Sequence, residues 1–286
     1  MLPTTTHANQ SILPSKHLSP SLQFSSNPKL VSREMKFLLS AEMQERLIAL
    51  ASASMSFDPY CDKDRGYLVE SLYLDTPTHD ILFRSETCRG TKYRIRRYNG
   101  ANQVFLERKS KSHAQLRKNR LPFAIDRLDE LDSTPQLKAN PASQSCDNWF
   151  IDEVRRMDLR PACLVQYKRC AFYLETAHDA LRLTVDSDLR SASCMSTRFS
   201  DQSWAGIESG CTTHPNGPNE MNTTVDDPLQ FVMSDHLVLE LKYVDSMPSL
   251  FKKLLCEFQI EPVRFSKYRT AMLPRYVGEY AWSRPC

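Results

Sequence analysis

The chain has 286 residues, 41% hydrophobic and 25% charged, a composition that suits one large soluble domain or two small ones and excludes a collagen-like or wholly disordered chain. Its net charge of +3 identifies no partner by itself, and no apolar run approaches the roughly 18 residues of a membrane span. The nine cysteines lack metal-knuckle or redox-pair spacing, so they read as free thiols and the expected location is cytoplasmic.

Residues 1–28, rich in Ser, Thr, Pro and Asn, are expected to form a disordered tail and carry no secretory signal. LVSREMKFLL then reads as a strand, with Ser32, Glu34, Lys36 and Leu38 on one face. Ser40 is placed to cap a helix running to about Ser54, with Met43, Leu47 and Leu50 on its apolar side. YLVESLYLD (67–75) is a second strand, ended by Thr76-Pro77, and DILFRSE (80–86) a short helix or strand.

TKYRIRRYNGANQVFLERK (91–109) predicts a hairpin turning at Asn99-Gly100. Alternation puts Lys92, Arg94, Arg96 and Tyr98 on one face of its first strand, and Phe105, Glu107 and Lys109 on one face of its second. Between Arg84 and Arg120 there are twelve Lys/Arg against Glu86 and Glu107. Aligned cations repel one another, so such a face is costly unless a polyanion sits against it.

SKSHAQLRKNRLPF continues these cations into a strand or loop, and 129–147 reads as a loop. NWFIDEVRRM (148–157) has Phe150, Val154 and Met157 at helical spacing. A second hairpin spans about 162–189 and turns at 177–179, with Val165, Tyr167 and Arg169 on one face and Arg182, Thr184 and Asp186 on another. From 190 to 234 the pattern is lost, and a disordered insertion is expected. HLVLELKYV (236–244) is a strand with Val238, Glu240 and Lys242 on one face, SLFKKLLCEF (249–258) a short helix, FSKYRTAM (265–272) the last ordered element, and 273–286 a tail.

The fold class predicted is α+β, mainly antiparallel β, closed as a barrel with a polar interior and a few flanking helices. An open sheet with its charged face in solvent would carry the same pattern. No glycine-rich phosphate loop, kinase signature or H-E-x-x-H occurs, so phosphate would be held by side chains. Arg forks and Lys point charges suit that task. Glu34, Glu107 and Glu240 would either pair with the cations or hold a divalent metal. RNA modules stack bases on exposed aromatics, and these basic faces offer little beyond Tyr98 and Tyr167, so no nucleic-acid partner is expected.

The series E-x-K (34–36), SLYLDT (71–76), R-x-R (94–96), FLERK (105–109), Y-K-R (167–169), RLTVD (182–186), ELKY (240–243) and SKYR (266–269) resembles the triphosphate tunnel metalloenzymes. It is most similar to the VTC domain, the polyphosphate polymerase domain of the vacuolar transporter chaperone complex. The resemblance spans about 30–272 and implies an eight-stranded closed tunnel within a 29–272 domain. It also implies that Lys36, Arg94, Arg96, Lys109, Arg169 and Lys267 bind phosphates, helped by Tyr167, Lys242 and Ser266. Glu240 would hold a divalent metal, Mn2+ or Mg2+. The implied reaction moves the γ-phosphate of ATP onto polyphosphate. Ser32 stands where the hydrolytic branch has the first Glu of E-x-E-x-K, which favours the polymerase branch. A triphosphatase and a non-catalytic polyphosphate or nucleotide binder are the alternatives. The chain is expected to be a monomer or weak oligomer, and a membrane protein is a possible partner.

Overall fold

The computed structural model describes residues 32–61, 66–112, 115–132, 149–175, 180–194 and 229–277. The expected tail at 1–28 lies outside them, as does most of the expected insertion and the end of the C-terminal tail. Strands β1 (Ser32–Ser40), β2 (Ser56–Phe57), β3 (Tyr67–Asp75), β4 (Thr91–Tyr98), β5 (Gln103–Ser112), β6 (Gln115–Ala124), β7 (Arg160–Glu175), β8 (Ala180–Ser193), β9 (Gln230–Met233) and β10 (His236–Val244) form one antiparallel sheet. Helices α1 (Gln44–Ser54), α2 (Asp80–Phe83), α3 (Asp129–Asp132), α4 (Trp149–Met157), α5 (Ser249–Phe258) and α6 (Lys267–Val277) flank it.

Eight strands run in the order β1-β10-β8-β7-β3-β4-β5-β6, while β2 adds to β7 and β9 to β8. Among the described residues the ladder therefore ends at β1 and β6, and hydrogen bonds do not close the expected barrel. Two local features account for the open ladder. On β1, the Lys36 carbonyl accepts the amide of Val263 at 2.7 Å, so the segment after α5 takes up part of that edge. β6 contains Pro122, which has no amide to donate, with Arg117, Lys118 and Arg120 close by in sequence. Proline and charge are common on edge strands because they discourage further pairing.

The Asn99-Gly100 turn forms as expected. Both residues have positive φ (46° and 65°), and the Ala101 amide reaches the Tyr98 carbonyl at 2.9 Å. This handedness matches the twist of the flanking strands. Asn99 also exchanges hydrogen bonds with the backbone of Leu68, tying the turn to β3. In β8 the register shifts opposite Gln166–Lys168, and Asp188 there has φ 53°. β8 continues to Ser193 and β9 pairs with it, so the ladder absorbs both ends of the 190–234 stretch. Likewise α6 continues past 272 to Val277.

One face of the sheet is apolar and packs against the helices. Phe37, Leu39, Leu183, Leu239 and Leu241 meet Leu47 and Ala51 of α1 and Phe251, Leu254 and Phe258 of α5. Leu72, Ile95, Val104 and Leu106 meet Phe150, Ile151 and Val154 of α4. Each such side chain stabilises the fold by about 1.5–3 kcal/mol on full burial. In α1 the buried pair is Leu47 and Ala51, while Met43 is exposed and Ser40 makes no side-chain capping bond. With helices covering this face, the opposite face receives the charged residues.

Candidate functional site

Register assigns the charged face strand by strand. Lys36 of β1 is opposite Glu240 of β10, and Glu34 is opposite Lys242. Glu240 is in turn opposite Thr184 of β8, and Asp186 opposite Arg169 of β7. Tyr167 pairs with Val69 of β3, Ser71 with Arg96 of β4, and Arg94 with Glu107 of β5. Lys109 is opposite both Lys92 of β4 and Lys118 of β6, and Glu107 is opposite Arg120. Because side chains alternate, all of these share one face.

That face curls upon itself. Lys109 Nζ of β5 is 3.2 Å from Glu34 Oε1 of β1, although the two strands are far apart in the ladder. Side chains thus bridge the seam that backbone hydrogen bonds leave open. The concave face holds three carboxylate-centred groups.

In the first, Glu34 and Glu240 surround two ammonium groups. Lys36 Nζ is 3.5 Å from each carboxylate, and Lys242 Nζ lies 2.6 Å from Glu240 and 3.8 Å from Glu34. Burial and neighbouring Glu240 push the Glu34 carboxyl up, but Lys242, Lys109 and Lys36 outweigh them and hold it at about 2. Burial likewise opposes ionisation of Glu240, yet Lys242, Lys36 and Arg169 hold it well below the usual carboxylate range.

In the second, Glu107 accepts a hydrogen bond from Arg94 Nε at 2.6 Å and is ion-paired with Arg120 Nε at 3.4 Å and Arg96 Nη1 at 3.9 Å. Burial raises its pKa, and the three guanidinium groups bring it back to about 2. Arg120 also stacks 3.6 Å above the Phe105 ring.

In the third, Arg169 grips Asp186 with two hydrogen bonds of 2.6 and 2.8 Å, and Lys267 of α6 adds a third at 2.5 Å. Lys267 Nζ is 4.6 Å from the Tyr167 ring centroid. Tyr167 is fully buried, and among the described residues its hydroxyl lacks a hydrogen-bond partner, as does that of buried Thr184. Buried polar groups normally find partners, so two orphan hydroxyls on a cationic face are ready donors for an anion.

The structure therefore brings Lys36, Lys109, Lys242 and Glu240 into one group, Arg94 and Arg96 into a second, and Arg169 and Lys267, with Tyr167 over Lys267, into a third. Ser266 precedes α6 and accepts a hydrogen bond from Lys92 at 2.8 Å. Asp75 belongs elsewhere. Its carboxylate takes the amides of Thr76, Ile81 and Leu82 and the hydroxyl of Tyr268, anchoring α2 and α6.

Sequence reasoning left out Lys92, Lys118 and Arg120. Alternation already put Lys92 on the correct face of β4. β6 alternates poorly between apolar and polar residues, which hid Lys118 and Arg120.

Among the described residues no three His, Cys, Asp or Glu side chains gather as a protein-only metal cage. Glu34 and Glu240, both ionised and both within 4 Å of the same two lysines, fit another mode. Hard cations such as Mg2+ are commonly held by one or two carboxylates together with substrate phosphates. Among the described residues no helix is long and apolar enough to cross a membrane.

The chain resembles solved structures of low sequence identity. The PH1819 protein of Pyrococcus horikoshii OT3 is 14% identical, with a TM-score of 0.40 over 83% of this chain and 97% of that one. A putative adenylyl cyclase from Hippeastrum, described as having a dominant triphosphatase activity, is also 14% identical, with a TM-score of 0.46 over 82% and 92%. No curated protein matches the sequence. Residues 31–274 match the VTC domain, and the chain accordingly belongs to the VTC domain family.

Proposed function

We propose that the chain is a phosphotransferase that moves the γ-phosphoryl group of ATP onto the end of an inorganic polyphosphate chain. The observation that carries this reading is the convergence of Arg94, Arg96, Arg169 and Lys267 on one concave face beside the orphan hydroxyl of Tyr167. Cations spread along a channel suit a rod-like polyanion better than a compact one. Membership of the VTC domain family supports the same substrate class.

In the proposed step a terminal oxygen of the acceptor attacks the γ-phosphorus. The new P–O bond forms as the bond from the γ-phosphorus to the bridging oxygen breaks, and ADP leaves with that electron pair. No protein nucleophile is needed. Arg94 and Arg96 hold one end of the donor–acceptor line, while Arg169, Lys267 and the Tyr167 hydroxyl hold the other. Fixing both partners removes most of the entropic cost of alignment, and the guanidinium groups offset charge on the equatorial oxygens. Lys36, Lys109, Lys242 and Ser266 add contacts along the chain. Glu240, with Glu34 beside it, would hold a divalent cation such as Mn2+ or Mg2+, which when bound supplies positive charge to the phosphate oxygens.

Product analysis tests the reading. Incubation with ATP and MnCl2 should give a ladder of long polyphosphate on a gel. Orthophosphate and ADP without a ladder would assign the site to hydrolysis, with water in place of the acceptor. Binding of ATP and tripolyphosphate without turnover would assign it to sensing.

A further inference from the structure

Lys92 differs from the other cations of the concave face. The charges that press on it are Lys36 on β1, Lys109 on β5, Arg94 on its own strand and the exposed Arg84 after α2, all of them positive. Its one hydrogen bond among the described residues is donated to Ser266 Oγ at 2.8 Å. Ser266 Oγ also accepts the Arg269 amide at 3.4 Å. An ammonium group has three N–H donors and a hydroxyl has one. Among the described residues, two donors of Lys92 and the hydroxyl proton of Ser266 therefore meet no acceptor and are left for a ligand.

The position along the strand adds a length argument. Alternate residues of a strand are about 6.6–6.8 Å apart, so Lys92, Arg94 and Arg96 form a row about 13 Å long. Arg94 and Arg96 already share Glu107. Lys92 extends the row with positive charge that is not offset in the same way.

We propose that Lys92 and the Ser266 hydroxyl form an additional phosphoryl subsite that continues the Arg96–Arg94 row. The proposal rests on the reading that this face takes condensed phosphate, and it names the residue that senses chain length. A diphosphate held by the two arginines does not span to Lys92, whereas a longer chain does. Burial and the surrounding cations lower Lys92 to about 7, so most of the population is uncharged at pH 8 in the empty site. An anion arriving beside it restores the ammonium, and binding at that pH takes up a proton.

Titration calorimetry of pyrophosphate, tripolyphosphate and a longer linear polyphosphate tests this with the full chain and with Lys92→Met and Lys92→Arg. Lys92→Met should weaken the longest ligand by about tenfold or more, the usual size of one charged hydrogen bond, and pyrophosphate by less than about twofold. Lys92→Arg should keep the length preference. At pH 8, proton uptake measured in two buffers of different ionisation enthalpy should appear with the natural chain and vanish with Lys92→Met. Removing a crowded cation should leave the melting temperature of Lys92→Met equal or higher. Equal losses at every length, or no loss, with normal binding by the natural chain would overturn the subsite alone. Failure of the natural chain to bind any condensed phosphate would instead overturn the proposed function.

Discussion

Lys109 Nζ lies 3.2 Å from Glu34 Oε1, joining β5 to β1 across a seam that has no backbone ladder. The pair is part-buried and shares Glu34 with Lys36 and Lys242. If it holds the sheet curled, Lys109→Met and Glu34→Gln should be coupled. A double-mutant cycle in urea unfolding should give an interaction energy of about 0.5 kcal/mol or more, the range seen for residues in contact. Additive losses would show that the seam is held by other contacts.

Glu240→Gln separates a metal-holding role from simple charge pairing. Turnover should fall steeply if this carboxylate acts through a divalent cation in the transition state. Metal-free tripolyphosphate should bind as well or more tightly, because Lys36 and Lys242 lose a competing carboxylate at 3.5 and 2.6 Å. Calorimetry and steady-state kinetics, with and without MnCl2, make the comparison. Full metal-dependent turnover in this variant would leave Glu240 as an ion-pair partner only.

Arg96→Ala removes a guanidinium that bonds Ser71 and lies near Glu107. Tripolyphosphate affinity and turnover should both drop, with the lost charged hydrogen bond worth about 1.5–3 kcal/mol. Arg127→Ala, whose Glu130 pair is on the exposed surface, should change binding little and serves as the control. Similar losses for both variants would argue against a localised phosphate site.

Crowded cations imply stabilisation by an anionic ligand. At about 100 times its dissociation constant, tripolyphosphate should stabilise the fold by about 2.7 kcal/mol. For a chain of this size that corresponds to a rise of about 5–10 °C in melting temperature. Sodium chloride at equal ionic strength should do much less. Equal shifts from the two salts would mean that general screening, not a bound ligand, relieves the repulsion.

Acid should unfold the protein through the buried carboxylates. Burial opposes ionisation of both Glu107 and Asp186, but their cationic partners bring the folded pKa of each to about 2, from 4.5 and 3.8. A depressed folded pKa means that the unfolded chain binds more protons, so stability rises with pH across this interval. Their contribution is present above about pH 4.5 and is lost as the pH falls toward 2. Urea midpoints measured at pH 5, 4 and 3 should decline, and Glu107→Gln should show a shallower decline from a lower starting stability. A flat profile from pH 5 to 3 would contradict the ionised assignments.

The alternation of residues determined which side chains share a face. Glu34 with Lys36, Arg94 with Arg96, Glu107 with Lys109 and Glu240 with Lys242 were all legible, because the two-residue period of a strand is local steric geometry. Asn99-Gly100 was legible for the same reason, since its positive φ angles follow from the residues themselves. The ends of the long patternless stretch were not, because the residues of β9 form a strand only against β8. Nor could a single strand show that Lys109 meets Glu34, that Lys267 joins Arg169 on Asp186, or that Lys92 meets Ser266 from 174 residues away. Those meetings depend on strand order, register and curl, which are set by long-range pairing and by burial of the apolar face against α1, α4 and α5. The same long-range relations left β1 and β6 unjoined, where alternation alone had suggested a closed barrel.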